Sequence, residues 1–146
     1  MKNKLYEYMY DESIPFVFLG TSHVFSIILF LVLALSIPYL AKKNLNENQQ
    51  LFLGKIIGVL VLIGYLSWVI LEILAGSFNL KLHLPFHLCR TANVLIFVVL
   101  FFRSFLAYEF VFFWGLTVIH AVITPDITQG FPHYHFVRYW LTHQLM

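Results

Sequence analysis

Apolar residues in this chain come in blocks of membrane length rather than in narrow stripes. The first block runs from His23 to Ala41 (HVFSIILFLVLALSIPYLA), with Pro38 near its end. A polar connection, residues 42–50, leads to a second block over 51–76, and the polar SFNLKLH stretch then leads to a third over 85–102. Arg103 and Ser104 make a short turn before the fourth block, 107–123. After TPDITQGFP, dense in turn-forming residues, a further helix is predicted from Phe136 to Met146. Crossing the hydrocarbon core takes about 20 apolar residues in a helix. The pattern therefore predicts an all-α polytopic transmembrane bundle, with four full spans and the start of a fifth. It forms a single integral membrane domain, 1–146, whose N-terminal segment is 1–22. Pro85 suits the first turn of the third span, where its missing N–H is not needed. The short last helix predicts that the domain continues beyond this chain.

Composition supports the class and removes several others. Charged residues make up 11% of the chain, against about 25% in soluble domains. A net charge of +2, with no basic run longer than Lys42–Lys43, argues against a nucleic-acid partner. The single cysteine excludes an internal disulfide. The N-terminus, MKNKLYEYMYDESIPF, lacks the apolar core and cleavage site of a signal peptide. Basic residues divide almost evenly between the two ends of the predicted bundle, so they set no orientation.

Helices that alternate in direction force a bookkeeping of sides. His23 opens the first span and Glu72 lies in the last turns of the second; His83, His87, Cys89 and Arg90 open the third. His120, Thr124 and Asp126 close the fourth, and His133, His135, Arg138 and His143 lead into the fifth. All seven histidines and the cysteine are thus predicted at one end. Helical spacing puts His87, Arg90 and Asn93 on one side of the third span, with Cys89 and Asn93 four apart. Thr117, His120 and Thr124 form a stripe on the fourth, and Tyr65, Trp68 and Glu72 one on the second. Ionisable groups inside spans face a protein interior or a wet cavity and mark functional sites. His87, Cys89, His120 and the Thr124–Asp126 segment are expected around one cavity, with Glu72 at its rim.

Each residue also has a plain reading. A lone membrane cysteine is ordinarily a small inert apolar side chain. Against that, Cys89 lies early in a helix and beside Arg90, two features that favour a thiolate. Glu72 fits a plain role as the partner of Arg90 or a histidine as well as it fits a direct role. His133 and His135 suit ordinary interfacial positions, and His143 suits a structural role as well as a catalytic one. His83 and His87 at four apart and His133-x-His135 have ligand-like spacing, but no HExxH or cysteine-pair motif accompanies them, so no metal site and no cofactor are predicted.

The run Leu84-Pro85-Phe86-His87-Leu88-Cys89 resembles the LPLHLC pattern of the YwaF-like family of bacterial integral membrane proteins. FWGL at Phe113–Leu116, TPD at Thr124–Asp126, Phe131-Pro132, and Phe136 with His143 are similar to later signatures of that family. It is related to the eukaryotic transmembrane protein one-six-four, regarded as a cysteine-dependent phospholipid acyltransferase. The resemblance implies a multi-pass protein of the bacterial cell membrane whose partners are phospholipid and lysophospholipid. It implies that Cys89 takes an acyl group as a thioester and passes it to a lysophospholipid or to water. His143, or else His87, would serve as base and acid, and Arg90 would bind the lipid phosphate or pair with Glu72. Thr124 and Asp126 would shape the site, and the aromatic-rich spans would supply an acyl-chain groove. A transporter or ligand- or metal-binding protein using the same cavity is the runner-up, and a catalytically inactive structural subunit ranks third. Paired broken helices, a transporter signature, are not visible in the sequence.

Overall fold

The computed structural model describes residues 3–85 and 88–145, with the backbone alone described at 116–118 and 145. The chain is an all-α membrane bundle. Its helices in order are α1 (Lys4–Met9), α2 (Thr21–Asn44), α3 (Glu47–Ala75), α4 (Leu80–His83), α5 (Leu88–Phe102), α6 (Phe105–Ile123) and α7 (Tyr134–Leu145). Three of these, α2, α3 and α6, are long and apolar enough to cross a membrane by length and composition. The third expected span is shorter: α5 is a 15-residue helix.

The helix ends differ from the apolar boundaries for a local reason. Backbone hydrogen bonding does not stop where hydrophobicity does, so the polar residues Lys42–Asn44 and Glu47–Gln50 add turns to α2 and α3. At the start of α3 a capping box fixes the boundary: Asn46 Oδ1 accepts the Gln49 N–H at 2.9 Å, and Gln49 Oε1 accepts the Asn46 N–H at 3.0 Å. The helix ends at Gly76, whose φ of 75° is the left-handed conformation that glycine adopts without steric cost. Two short helices, α1 and α4, lie where the sequence pattern predicts only connecting chain, because neither carries enough residues to show a period.

Helix α3 is the axis of the bundle. It packs closely on α5 and also touches α1 and α7, while α6 lies against α5 and α7. The close approach to α5 runs through Gly54 and Gly58, a small-xxx-small pair that lets backbones meet. A Cβ on Gly58 would lie 3.2 Å from Leu100 Cβ and 3.4 Å from Phe97 Cα. Gly58→Leu should therefore force α3 and α5 apart and destabilise the bundle by about 1–3 kcal/mol, the usual scale of overpacking. Thermal unfolding in detergent measures this, and an unchanged melting temperature would show that the contact is not tight. Helix α2 joins the bundle chiefly through α7 and leaves Ile28, Val32 and Leu35 exposed.

One end of the molecule is closed by the N-terminal segment. The Phe16 N–H donates to Thr128 O and the Gly130 N–H to Ile14 O, both at 2.7 Å, clipping this segment to the connection between α6 and α7. A Cβ on Gly130 would lie 2.8 Å from Pro15 O, so only glycine fits that approach. Beneath the clip Val122, Phe136, Tyr139 and Trp140 form a buried core against Phe16, Ile27 and Phe30. His23 is fully buried there. Its Nδ1 accepts the Leu19 N–H at 3.0 Å, which leaves Nε2 to donate to Val122 O at 3.2 Å. Both ring nitrogens are used, so His23 is a structural histidine joining α2 to α6.

Candidate active site

Glu72 is the most heavily bonded side chain in the molecule's polar end. Its Oε1 accepts the Trp68 indole N–H at 2.8 Å, and its Oε2 accepts the Tyr10 hydroxyl at 2.8 Å and the Ser77 hydroxyl. His83 Nε2 approaches Oε2 at 3.6 Å, the one ion pair among the described residues. His83 Nδ1 lies 2.8 Å from Asn79 N and 2.9 Å from Asn79 O, contacts that hold the ring with Nε2 toward the carboxylate. Tyr65 adds a further link by donating to His83 O at 2.9 Å. The sequence pattern puts Glu72 at the rim of a cavity. The folded chain corrects this: Glu72 is 1% exposed, because the N-terminal segment and α4 fold over the end of α3 and bring donors from three segments to one carboxylate.

Tyr10 lies outside the spans, and its phenol is pushed up from its ordinary value, first by burial and then by donating to Glu72. The folded state thus holds this proton more tightly than the unfolded chain. The resulting stability is present below the unfolded value of about 10 and is lost as pH climbs through the raised folded value. Tyr10→Phe should lower thermal stability near neutrality, and the gap to the native chain should narrow at strongly alkaline pH. Melting curves of both proteins across that range check it; a gap independent of pH would remove Tyr10's proton from the account. On the neighbouring loop, backbone and side-chain hydrogen bonds from Ser13 hold the Asp11 carboxyl below its usual range.

The same tryptophan collects two cations. Arg90 from α5 and Arg138 from α7 place their guanidinium carbons 4.6 and 4.4 Å from the centroid of the Trp68 ring. With its N–H given to a carboxylate, the indole is a richer π-donor for both. Neither arginine forms an ion pair with Glu72, so the direct Arg90–Glu72 pair expected as one alternative is not formed; Arg90 lies on the Trp68 ring instead. Buried Arg90 Nη1, Arg138 Nε and the Tyr134 hydroxyl have no hydrogen-bond partner.

Cys89, on the first turn of α5, is half-buried and free. On α7 the Tyr139 hydroxyl donates to Ala121 O at 2.6 Å. Tyr139 stacks on His143, with ring centroids 4.1 Å apart. His143 is buried, and its Nδ1 donates to Tyr139 O at 2.7 Å, so the lone pair sits on Nε2.

The remaining residues singled out by the sequence pattern divide. His87 lies outside the described residues. Asn93 is buried on the bundle side of α5, as its spacing from Arg90 implies, with an unpartnered Oδ1. His120, Thr124 and Asp126 are exposed rather than gathered into a closed cavity. The reason is local: α6 ends at Ile123, and Thr124 folds its hydroxyl back onto His120 O at 2.9 Å as part of the helix end. An open apolar groove of about 560 Å³ runs between α2 and α7, lined by Phe25, Leu29, Phe136, Val137 and Trp140 among others; Cys89 does not line it. No group of three or more metal-ligating side chains occurs among the described residues. The sequence pattern assigns no role to Tyr10, Ser77, Tyr134 or Tyr139. Tyr139 and His143, four apart on one helix, carry a readable signal; Tyr10 and Ser77 carry none, since only the folded chain brings them to Glu72.

The profile of the TMEM164 family matches residues 18–146, a span that takes in Cys89, both arginines and His143. The chain belongs to the TMEM164 family. No curated protein and no solved structure matches it. Membership and the apolar helices together make the chain a membrane protein, and the matched span leaves out the first turns of the N-terminal segment that caps Glu72.

Proposed function

We propose that this TMEM164-family chain is a multi-pass protein of the bacterial cell membrane, of the YwaF-like branch, that works as a cysteine acyltransferase or hydrolase on phospholipid acyl esters. The observation that carries this reading is the arrangement at the start of α5. A free, half-buried thiol opens this helix, and on α7 Tyr139 stacks on a buried histidine whose Nδ1 is committed to a backbone carbonyl. That commitment leaves Nε2 as the base, the condition for activating a nucleophile of this type.

In the first half-reaction the Cys89 proton passes to His143 and the sulfur attacks the ester carbonyl. The tetrahedral adduct collapses with loss of the lysophospholipid alkoxide, which takes the proton back from His143 and leaves an acyl thioester. In the second, the hydroxyl of a lysophospholipid or water gives its proton to His143 and attacks the thioester, and the sulfur departs as the thiolate and is reprotonated. The groove between α2 and α7 is open and apolar enough to shelter an acyl chain.

The direct test is to trap the intermediate. Native membranes containing the protein are supplied with a phospholipid labelled in its acyl chain, quenched in acid, and treated with neutral hydroxylamine, which cleaves thioesters. Label on the protein that hydroxylamine releases, and that maps to the peptide holding Cys89, supports the reading. Turnover with no protein-bound label at any quench time, or label resistant to hydroxylamine, removes it.

A further inference from the structure

Beside the thiol lies an arrangement whose charges are not balanced by the protein itself. Arg90 and Arg138 come from different helices and share one aromatic ring, yet neither has a carboxylate partner among the described residues. The nearest anion, Glu72, already accepts from Trp68, Tyr10 and Ser77 and faces His83, and it forms no ion pair with either arginine. Buried Arg90 Nη1 and Arg138 Nε are left without acceptors, and so is the Tyr134 hydroxyl one turn before Arg138 on α7. Buried donors are almost always satisfied, and a specific exception calls for an explanation, an absent ion among them. Here the orphans include one nitrogen from each of two guanidinium groups and a phenol, beside Asn93 Oδ1, His135 Nε2 and Trp140 Nε1; guanidinium and phenol donors together suit the oxygens of a phosphate.

We propose that Arg90, Arg138 and Tyr134 form a clamp for a phosphate group, with Trp68 as the platform that holds both guanidinium groups in place. Glu72 is a positioning residue for this clamp: by accepting the indole N–H it fixes the ring against which the arginines lie. The clamp needs α5 and α7 together, so binding also ties these two helices to α3. The assignment of that phosphate to a glycerophospholipid rests on the reading of the chain as a lipid acyltransferase. Arg90 directly follows Cys89, and in a glycerophospholipid the acyl ester is only a few bonds from the phosphate. Holding the phosphate at Arg90 therefore delivers the ester carbonyl to the neighbouring thiol.

The experiment measures ligand protection of the full chain against thermal unfolding in a neutral detergent, using Cys89→Ala so that no turnover intervenes. Four probes are added separately: phosphatidylcholine, phosphatidylglycerol, diacylglycerol and inorganic phosphate. The expected result is protection by both phospholipids and none by diacylglycerol, with apparent affinity falling about tenfold or more in Arg138→Gln, a change of at least about 1.4 kcal/mol. Arg138→Lys keeps the charge without the fork and should fall between the two, which guards against a glutamine variant that fails to fold. Protection by inorganic phosphate alone supports the clamp and assigns it a free anion instead of a headgroup. Equal protection by diacylglycerol, or full phospholipid protection in both Arg138 variants, overturns the clamp. Because binding is read without chemistry, these outcomes stand apart from the thioester test: a clamp that fails while the thioester forms leaves the acyl-transfer reading intact, and the reverse holds equally.

Discussion

Cys89→Ala is expected to lower acyl turnover by at least about 10³-fold while leaving the bundle folded. Removing the nucleophile removes the covalent route altogether, and what remains is whatever rate binding and polarisation give to direct attack by water. The structural cost is small. Cys89 is half-buried and forms no disulfide, so losing its sulfur should cost about 1 kcal/mol or less, the scale of a conservative truncation at an incompletely packed position. Activity and stability thus separate cleanly at this residue. Cys89→Ser would keep the shape but offers a hydroxyl that His143 must deprotonate from a much higher pKa, so it should be nearly as inactive. The measurement is release or transfer of a labelled acyl chain from phospholipid by equal amounts of folded protein. Turnover in Cys89→Ala within tenfold of the native rate would end the cysteine mechanism, whatever the fate of the fold.

Glu72→Ala has the opposite profile, with the largest effect expected on stability. The substitution strips an acceptor from the Trp68 indole, the Tyr10 phenol and the Ser77 hydroxyl, and removes the anion facing His83. A buried donor left without a partner costs about 1–3 kcal/mol, and three donors lose theirs here. The several losses share one site and do not add in full, so a total of about 3–5 kcal/mol is expected. Because Glu72 fixes Trp68, the arginines should also lose their platform, and activity should fall with the fold. Glu72→Gln keeps one acceptor but brings two further donors into a place already crowded with them, and should be intermediate. Melting temperatures of the three proteins in one detergent decide the matter. An alanine variant as stable as the native chain would mean that Glu72 does not hold this end together.

The contrast between these residues shows which features are legible in a linear sequence. Cys89, Arg90 and Asn93 are legible because helical spacing at the start of an apolar run places them on one side of α5, and burial of Asn93 follows that pattern. The stripe Tyr65, Trp68 and Glu72 is legible for the same reason on α3. Periodicity nevertheless puts Glu72 at a rim, since its burial depends on Tyr10 and Ser77, which reach it from segments with no periodic signal. The stripe ending in His120 and Thr124 reads as facing a cavity, yet those residues are exposed: a period says that residues share a side, and nothing about what covers it.

The class of the protein and the positions of its helices are written in local sequence. Blocks of apolar residues leave the backbone only helical hydrogen bonding in a bilayer, and caps such as Asn46–Gln49 and Gly76 act within a few residues of one another. Which polar groups meet is settled only by packing between distant segments. Arg90 and Arg138 are 48 positions apart in the chain, and their meeting on Trp68 depends on Gly54 and Gly58 letting α5 approach α3, and on the Gly130 clip that ties the N-terminal segment to the connection before α7. Local sequence sets where a helix starts and which side is polar. Packing over long separations sets what that side faces, and with it which charges are satisfied and which are left to bind something else.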